Sequence, residues 1–410
     1  MYNKQYIKVI CGFVLLAITQ LGNTQNNNDL EWLKNQIKQH PDIIAAKARL
    51  ESDLFQAENL AQSLYNPSII SEYEREGSTN NYLVGLSQTF DRNNKHSTNQ
   101  ALAKTQRRTA KLDYNIIFLN KLSQALQAII QHQAINKQAS LLMQQEKQLE
   151  NLLELVNKRT NSGDLGQLDA QLAYLSLSQG FGQSATIEAR LKQNQARLSE
   201  QLVNWQGRSL LQFSLKKYQI KEVDDLVKNH PIVKASYTRW QQTQSQAELA
   251  RKNKKNDPSF GIGAGKINKD NLLTLSFSMP LNLRRNFDAA YLSANQQMAA
   301  AESNYLATSR KQKFAIQASL DSLKAFENRY KKWQVLMQGQ DESFASLLQK
   351  QWQLGDISTT NYLLTLQQRT QGLLAGIELE QNYKIAIINY LTDTAQLSIN
   401  TTTNIKEVSP

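Results

Sequence analysis

Apolar and polar positions alternate with period two in two short stretches of a chain whose other segments carry helical spacing. From Pro258 to Pro280, Phe260, Ile262 and Ala264 alternate with Ser259, Gly261, Gly263 and Gly265; past INKDN, Leu273, Leu275, Phe277 and Met279 alternate with Thr274, Ser276 and Ser278. Two runs, each with one apolar and one small polar face, flank a turn rich in Asn and Asp and predict a β-hairpin over 258–280. A second hairpin is predicted over 67–90, where Tyr82, Val84, Leu86 and Phe90 line one face, Gly85, Ser87 and Thr89 the other, beyond a Gly-Ser-Thr-Asn-Asn turn. Its first run sets Glu72, Glu74 and Glu76 on one face, which suits a wet interior. An isolated hairpin is marginal in water, so the two are expected to pair with each other.

The remaining pattern is that of long, packed helices. Ile316, Leu323, Tyr330, Met337 and Phe344 recur every seven residues, followed three later by Phe326, Trp333, Leu347 and Leu354, with Gln340 as an interruption. Apolar spacing of three and four marks a helix-packing seam. The stretch from Arg285 to Leu354 has no proline, and its roughly 70 residues would reach about 100 Å as one helix. Lys95 to Asn161 makes a comparable helix with Leu142, Leu149 and Val156 on one heptad step, and Leu165–Trp205 and Ile357–Leu397 run back.

Three landmarks repeat in step. His40-Pro41 recurs as His230-Pro231, Asn66-Pro67-Ser68 as Asp257-Pro258-Ser259, and Gly163-Asp164 as Gly355-Asp356, at offsets of 190, 191 and 192. Such a progression predicts a duplicated unit of helix, hairpin, long helix, glycine turn and long helix. The expected divisions are a leader over 1–25, repeats over 26–215 and 216–400, and a tail over 401–410.

Composition changes this picture in few places. Lys4 and Lys8 precede VICGFVLLAI and then small and polar residues, the layout of a secretory signal peptide. The single cysteine, Cys11, lies inside that run, and Lys8 stands where a lipoprotein signal needs leucine, so lipidation is not expected. Once the leader is removed no thiol is left for disulfide, metal or nucleophile chemistry. The net charge of +12 is spread along helices among acids and Gln, without the basic-aromatic clusters of a nucleic-acid surface. No apolar stretch of 18 residues is present to span a membrane as a helix. The four histidines, His40, His96, His132 and His230, lack metal-ligand spacing, and His40 and His230 mark helix starts. No phosphate loop, nucleophile elbow or zinc-protease motif occurs, so neither cofactor nor enzymatic activity is expected.

Geometry then leads to a shared tube. Two hairpins give four strands, and a membrane barrel closes with about eight or more, so several copies must contribute to one barrel. The repeat, the Asn-Pro-Ser and Asp-Pro-Ser strand starts, the strand end SMPLNLRRN and the turns RTNSGDLGQLDAQ and KQWQLGDISTTNYLLTLQQ resemble the TolC-like outer-membrane efflux family over about Glu31 to Leu397. The resemblance implies a mainly α fold with a small membrane β section: a homotrimer whose twelve-stranded β-barrel, four strands from each chain, adjoins a long coiled-coil α-barrel in the periplasm. It further implies the exit duct of a tripartite efflux pump or type I secretion system in the bacterial outer membrane, in contact with outer-membrane lipid. The partners implied are a periplasmic adaptor and, through it, an inner-membrane transporter.

By the same resemblance the glycine turns are the periplasmic tips of the helical hairpins. Gly163 and Gly355 suit a left-handed turn residue, and Asp164 and Asp356 are placed to cap the helices that follow. Asp169 matches a polar residue that ties neighbouring helices in the family. Asn361 and Leu364 fall where some members carry aspartates ringing the constriction; here neither is acidic, so a polar ring at Asn361 and an apolar one at Leu364 are the expectation. Metal cations, drugs and secreted polypeptides all stay open as cargo. The alternative is a periplasmic coiled-coil structural or adaptor protein, for which two apolar-faced hairpins have no use.

Overall fold

The computed structural model describes residues 31–205, 221–282, 287–337 and 342–397. The leader expected over 1–25 with Cys11, Arg284 and Arg285 of the SMPLNLRRN motif, Gln340 and the tail over 401–410 lie outside the described residues. In chain order the elements are α1 (31–38), α2 (Pro41–Ala61), β1 (Ser68–Glu76), β2 (Thr79–Thr89), α3 (Lys95–Asn161) and α4 (Gln167–Gln201). There follow α5 (Val223–Asn229), α6 (Pro231–Asn253), β3 (Ser259–Ile267), β4 (Asp270–Ser278), α7 (Asp288–Met337), α8 (Glu342–Leu354) and α9 (Thr359–Asp393). Contacts gather these into two compact units, each drawing on both halves of the sequence.

In one unit, Ala45–Ile117 with Asp224–Lys313, the two hairpins pair as expected into a single antiparallel sheet of order β1-β2-β3-β4. The turns are tighter than the sequence suggests. Glu76 pairs with Thr79 and Ile267 with Asp270, which leaves two-residue loops, Gly77-Ser78 and Asn268-Lys269. Only the first residue of each loop has positive φ, +59° at Gly77 and +57° at Asn268, the pattern of a type II′ turn. The remaining Thr-Asn-Asn of the first hairpin is strand, because each of those residues has a partner in β1 or β3.

Below the strands a buried carboxylate joins three segments. Asp257, its side chain 2 % exposed, accepts from Tyr65 Oη at 2.7 Å, Lys95 Nζ at 2.9 Å and Asn93 Nδ2 at 3.1 Å. Both Asp91 carboxylate oxygens accept backbone N–H bonds, from Lys95 at 2.9 Å and His96 at 2.7 Å, and so cap α3. The Asp257 cluster and this cap fix the start of α3 against the start of β3.

The other unit contains the described residues up to Ile44, Phe118–Val223 and those from Phe314 onward. The heptad positions Leu142, Leu149, Val156, Ile316 and Leu323 are all buried, as their spacing predicts. After Met337 the register differs from the sequence reading. Leu347 and Leu354 are exposed, while Leu348 and Trp352 are buried. The helix over 342–354 is bounded separately from α7, and Phe344, Leu348 and Trp352 follow one another at intervals of four along its own inner face.

Trp333 packs against α9, where its Nε1 donates to the Gly372 carbonyl at 3.1 Å and its ring occupies the space a Cβ on Gly376 would need. Gly376→Val is therefore expected to lower stability by about 1–3 kcal/mol through overpacking, read as a fall in the helical melting midpoint. The control change Gly372→Ala, where a Cβ meets open space inside the same helix, gives no such fall and raises the midpoint slightly through the better helix propensity of alanine.

His40 and His230 do mark helix starts. The Asp42 N–H donates to His40 Nδ1 at 3.1 Å and the Ile232 N–H to His230 Nδ1 at 3.2 Å. With Nδ1 accepting, His40 carries its proton on Nε2 and donates to the Glu200 carbonyl at 3.0 Å.

Candidate functional site: the hairpin turns and the apolar sheet face

The two helical-hairpin turns have one geometry. Gly163 has φ +84° and Gly355 +83°. The Asp164 N–H donates to the Arg159 carbonyl and the Asp356 N–H to the Gln351 carbonyl, both at 2.9 Å. The glycine N–H groups reach Thr160 and Trp352 carbonyls, both at 3.1 Å. A left-handed glycine followed by a bond spanning five residues is a Schellman ending, which satisfies carbonyls the helix leaves open. A Cβ at either glycine would meet nothing within 4 Å, so the backbone angle alone demands glycine there.

Asp164 and Asp356 do not cap the following helices. The N-cap of α4 is Gly166, without a side-chain cap, and that of α9 is Ser358, whose Oγ accepts from the Asn361 N–H at 3.2 Å. The aspartates contribute backbone N–H groups to the preceding helix instead, and a residue so committed is two positions short of the cap.

Asp169 is the third residue of α4 and Asn361 the third of α9. Asp169 is half-buried in a first turn, where the unpaired N–H groups of a helix favour negative charge. Asn361 is exposed, and Leu364, one turn on, is 50 % exposed. The opposite face of α9, with Tyr362, Leu363 and Leu366, enters a core shared with Leu149, Leu152 and Val156 of α3, Ala173 and Leu177 of α4, and Leu348 and Trp352 of α8.

Four residues at these turns escaped the sequence reading. Trp352 Nε1 donates to Thr359 Oγ1 at 3.2 Å, its ring lies 5.5 Å from that of Tyr362, and the Arg159 guanidinium sits 5.6 Å above it. The two turns are thereby tied through a cation-π contact. The spacing of Phe344, Leu348 and Trp352 was the available signal for Trp352; nothing in the sequence marks Arg159.

The sheet presents a different surface. Rows of facing residues run Ile69-Leu86-Ile262-Leu275, Ser71-Val84-Ala264-Leu273 and Tyr73-Tyr82-Lys266-Asn271 on one face. Its large apolar members are exposed, from Tyr82 at 48 % to Leu275 at 79 %. Aromatic residues bound the band at both ends, Tyr73 and Tyr82 near the turns and Phe90, Phe260 and Phe277 near the helices, with ring centroids 5.8 Å apart for Phe90–Phe260 and 5.2 Å for Phe260–Phe277. The other face carries the row Ser68-Ser87-Gly261-Ser276. There the strands crowd: a Cβ on Gly85 would lie 2.6 Å from the Ile262 carbonyl oxygen. Among the described residues β1 and β4 each have a neighbour on one side only. Strands of 9 to 11 residues with an apolar band between aromatic rims have the dimensions of barrel strands in a membrane. Among the described residues no helix is long and apolar enough to cross one.

No family model matches the chain, and no curated protein sequence does. Solved structures do. The CmeC outer membrane channel of Campylobacter jejuni superposes with a TM-score of 0.73 at 15 % identity, covering 93 % of this chain and 89 % of that one. The fold is that of the TolC-like outer-membrane channels. VceC, an outer membrane protein of Vibrio cholerae, gives 0.71 at 14 % identity over 90 % of this chain and 96 % of its own, and the open-state MtrE outer membrane channel of Neisseria gonorrhoeae 0.72 at 11 % over 89 % and 88 %. Identities this low make the TolC-like fold, rather than any individual function, the common property. In these three comparisons the likeness covers 89–93 % of this chain.

Proposed function

We propose that the chain, with residues 1–25 removed as a signal peptide, forms the outer-membrane exit duct of a tripartite efflux pump or type I secretion system. The observation that carries this reading is the open four-stranded sheet with one exposed apolar face, in a fold shared with outer membrane channels. In water such a face costs roughly 25 cal/mol per Å2 left uncovered, and lipid removes that cost. The edge of β1 in one copy is completed by β4 of the next, so that three chains close twelve strands. The two repeats, 26–215 and 216–400, each supply one hairpin to the barrel and one helical hairpin to the periplasmic section.

The turns at Gly163 and Gly355 form the periplasmic end, where a periplasmic adaptor docks and, through it, an inner-membrane transporter delivers cargo. Transport through the duct is passive, and no catalytic group or cofactor is used. Asn361, repeated around the trimer axis, makes a polar ring and Leu364 an apolar constriction, with Asp169 holding the neighbouring helix.

Membrane extraction separates this from a periplasmic coiled-coil protein. The duct stays with the outer membrane through high salt and carbonate and migrates in gels as a heat-sensitive oligomer. Release by either wash contradicts it and supports the periplasmic alternative.

A further inference from the structure

Charge is sorted by face across the four strands. The acids Glu72, Glu74, Glu76 and Asp270 share the register of the small face, whereas the two bases, Arg75 and Lys266, share that of the apolar face. Lys266 stands in the row of Tyr73 and Tyr82, and Arg75, opposite Asn80, lies one step nearer the turn. Both are exposed. Arg75 Nε donates to the Gly77 carbonyl at 3.3 Å, which holds the guanidinium beside the turn, and Tyr73 Oη donates to Asn80 Oδ1 at 3.0 Å. Beyond the two tyrosines the apolar face thus turns wholly polar and cationic.

A cation on a lipid-facing surface is costly at hydrocarbon depth and is accommodated where it reaches the headgroup layer. Here the bases lie at the turn end, Lys266 level with the aromatic rim and Arg75 one step past it, which is the level of that layer. The acids that would repel an anion are on the far side of the sheet. β1 and β3 are two strands apart, about 10 Å at ordinary strand spacing, so the two cations are too far apart to share one small anion and suited to separate phosphates.

We propose that this rim binds the phosphorylated glycolipid of the outer leaflet, lipid A, with Arg75 and Lys266 contacting its phosphates. The inference rests on the outer-membrane reading above and adds a specific lipid partner to it. A basic side chain at an anionic membrane surface is worth about 1 kcal/mol, so losing both implies a roughly thirtyfold weaker preference for the anionic lipid.

The test uses the full-length protein in mixed micelles, in which fluorescent lipid A competes with phosphatidylcholine, and measures lipid A retained per chain. The wild type retains lipid A in preference to phosphatidylcholine. Arg75→Gln/Lys266→Gln loses about thirtyfold of that preference, and Lys266→Gln alone, which leaves the Arg75 turn contact in place, about fivefold. Lipid A stripped of its phosphates is retained no better by the wild type than by the double variant, and added inorganic phosphate leaves retention unchanged. Equal retention by wild type and both variants overturns the proposal, as does equal retention of phosphorylated and stripped lipid A. Failure of the wild type to form a detergent-stable oligomer overturns the duct reading itself, a result distinct from an oligomer with no lipid preference.

Discussion

Asp257→Asn lowers the stability of the unit that carries the sheet by about 3–5 kcal/mol, the cost of leaving one member of a buried ion pair without its partner. Lys95, with a side chain only 10 % exposed and bound to Asp257 at 2.9 Å, is the group left without a counter-charge, keeping only its bond to the Lys255 carbonyl at 3.0 Å. Heat-induced loss of the oligomer gel band in the full-length protein reads the effect, and Lys95→Met in the same chain restores most of it by removing the stranded charge. The carboxylate also has a pH signature. Burial pushes its pKa up, but bonds from Tyr65, Lys95 and Asn93 and the charge of Lys95 outweigh that, and the group is held below the ordinary carboxylate value. A depressed folded-state pKa gives stability that is present above the unfolded value near 3.9 and is lost as pH falls through the folded one. The wild type therefore loosens at its strand roots below about pH 4, whereas Asp257→Asn lacks this acid-dependent component. Its partner Tyr65 is pushed up to about 12, by burial first and by the bond to Asp257 second, and stays protonated throughout.

Gly355→Pro abolishes export while leaving assembly intact. Proline fixes φ near −65° where the turn requires +83°, and it removes the N–H that Gly355 gives to Trp352. The cost is about 3 kcal/mol or more and falls on the second hairpin turn, beside Asn361 and Leu364. Gly355→Ala is the graded control: the surrounding space is open, so only the left-handed backbone is penalised, by roughly 1–2 kcal/mol. Export of a cargo in cells lacking other ducts, scored beside the amount of oligomer in isolated outer membranes, checks the prediction. Normal export by Gly355→Pro removes the turns from the transport path.

What the sequence disclosed depended on how local the signal was. Both hairpins were legible because period-two alternation survives in nine-residue runs, and their pairing followed from the weakness of either alone. The glycine turns were legible as landmarks, yet the role given to Asp164 and Asp356 was wrong, since a Schellman ending uses their backbone N–H groups and leaves capping to Ser358. The seam past Met337 was misread by carrying one heptad register across Gln340, when Leu348 and Trp352 face inward. Asp257 was visible as the repeat mate of Asn66, but its partners Asn93 and Tyr65 lie 164 and 192 residues away, and no pattern in one strand reveals them. Gly376 was invisible for the opposite reason: a lone glycine in a helical pattern gives no hint that a tryptophan from another helix occupies its missing side chain.

The central claim is that one chain supplies only part of a closed barrel, and the mass of the purified particle tests it most directly. Light scattering combined with refractive-index and absorbance detection, on protein extracted in mild detergent, separates protein from bound detergent. Three chains in a detergent-bearing particle is the result the account predicts; a single chain that binds no detergent contradicts it.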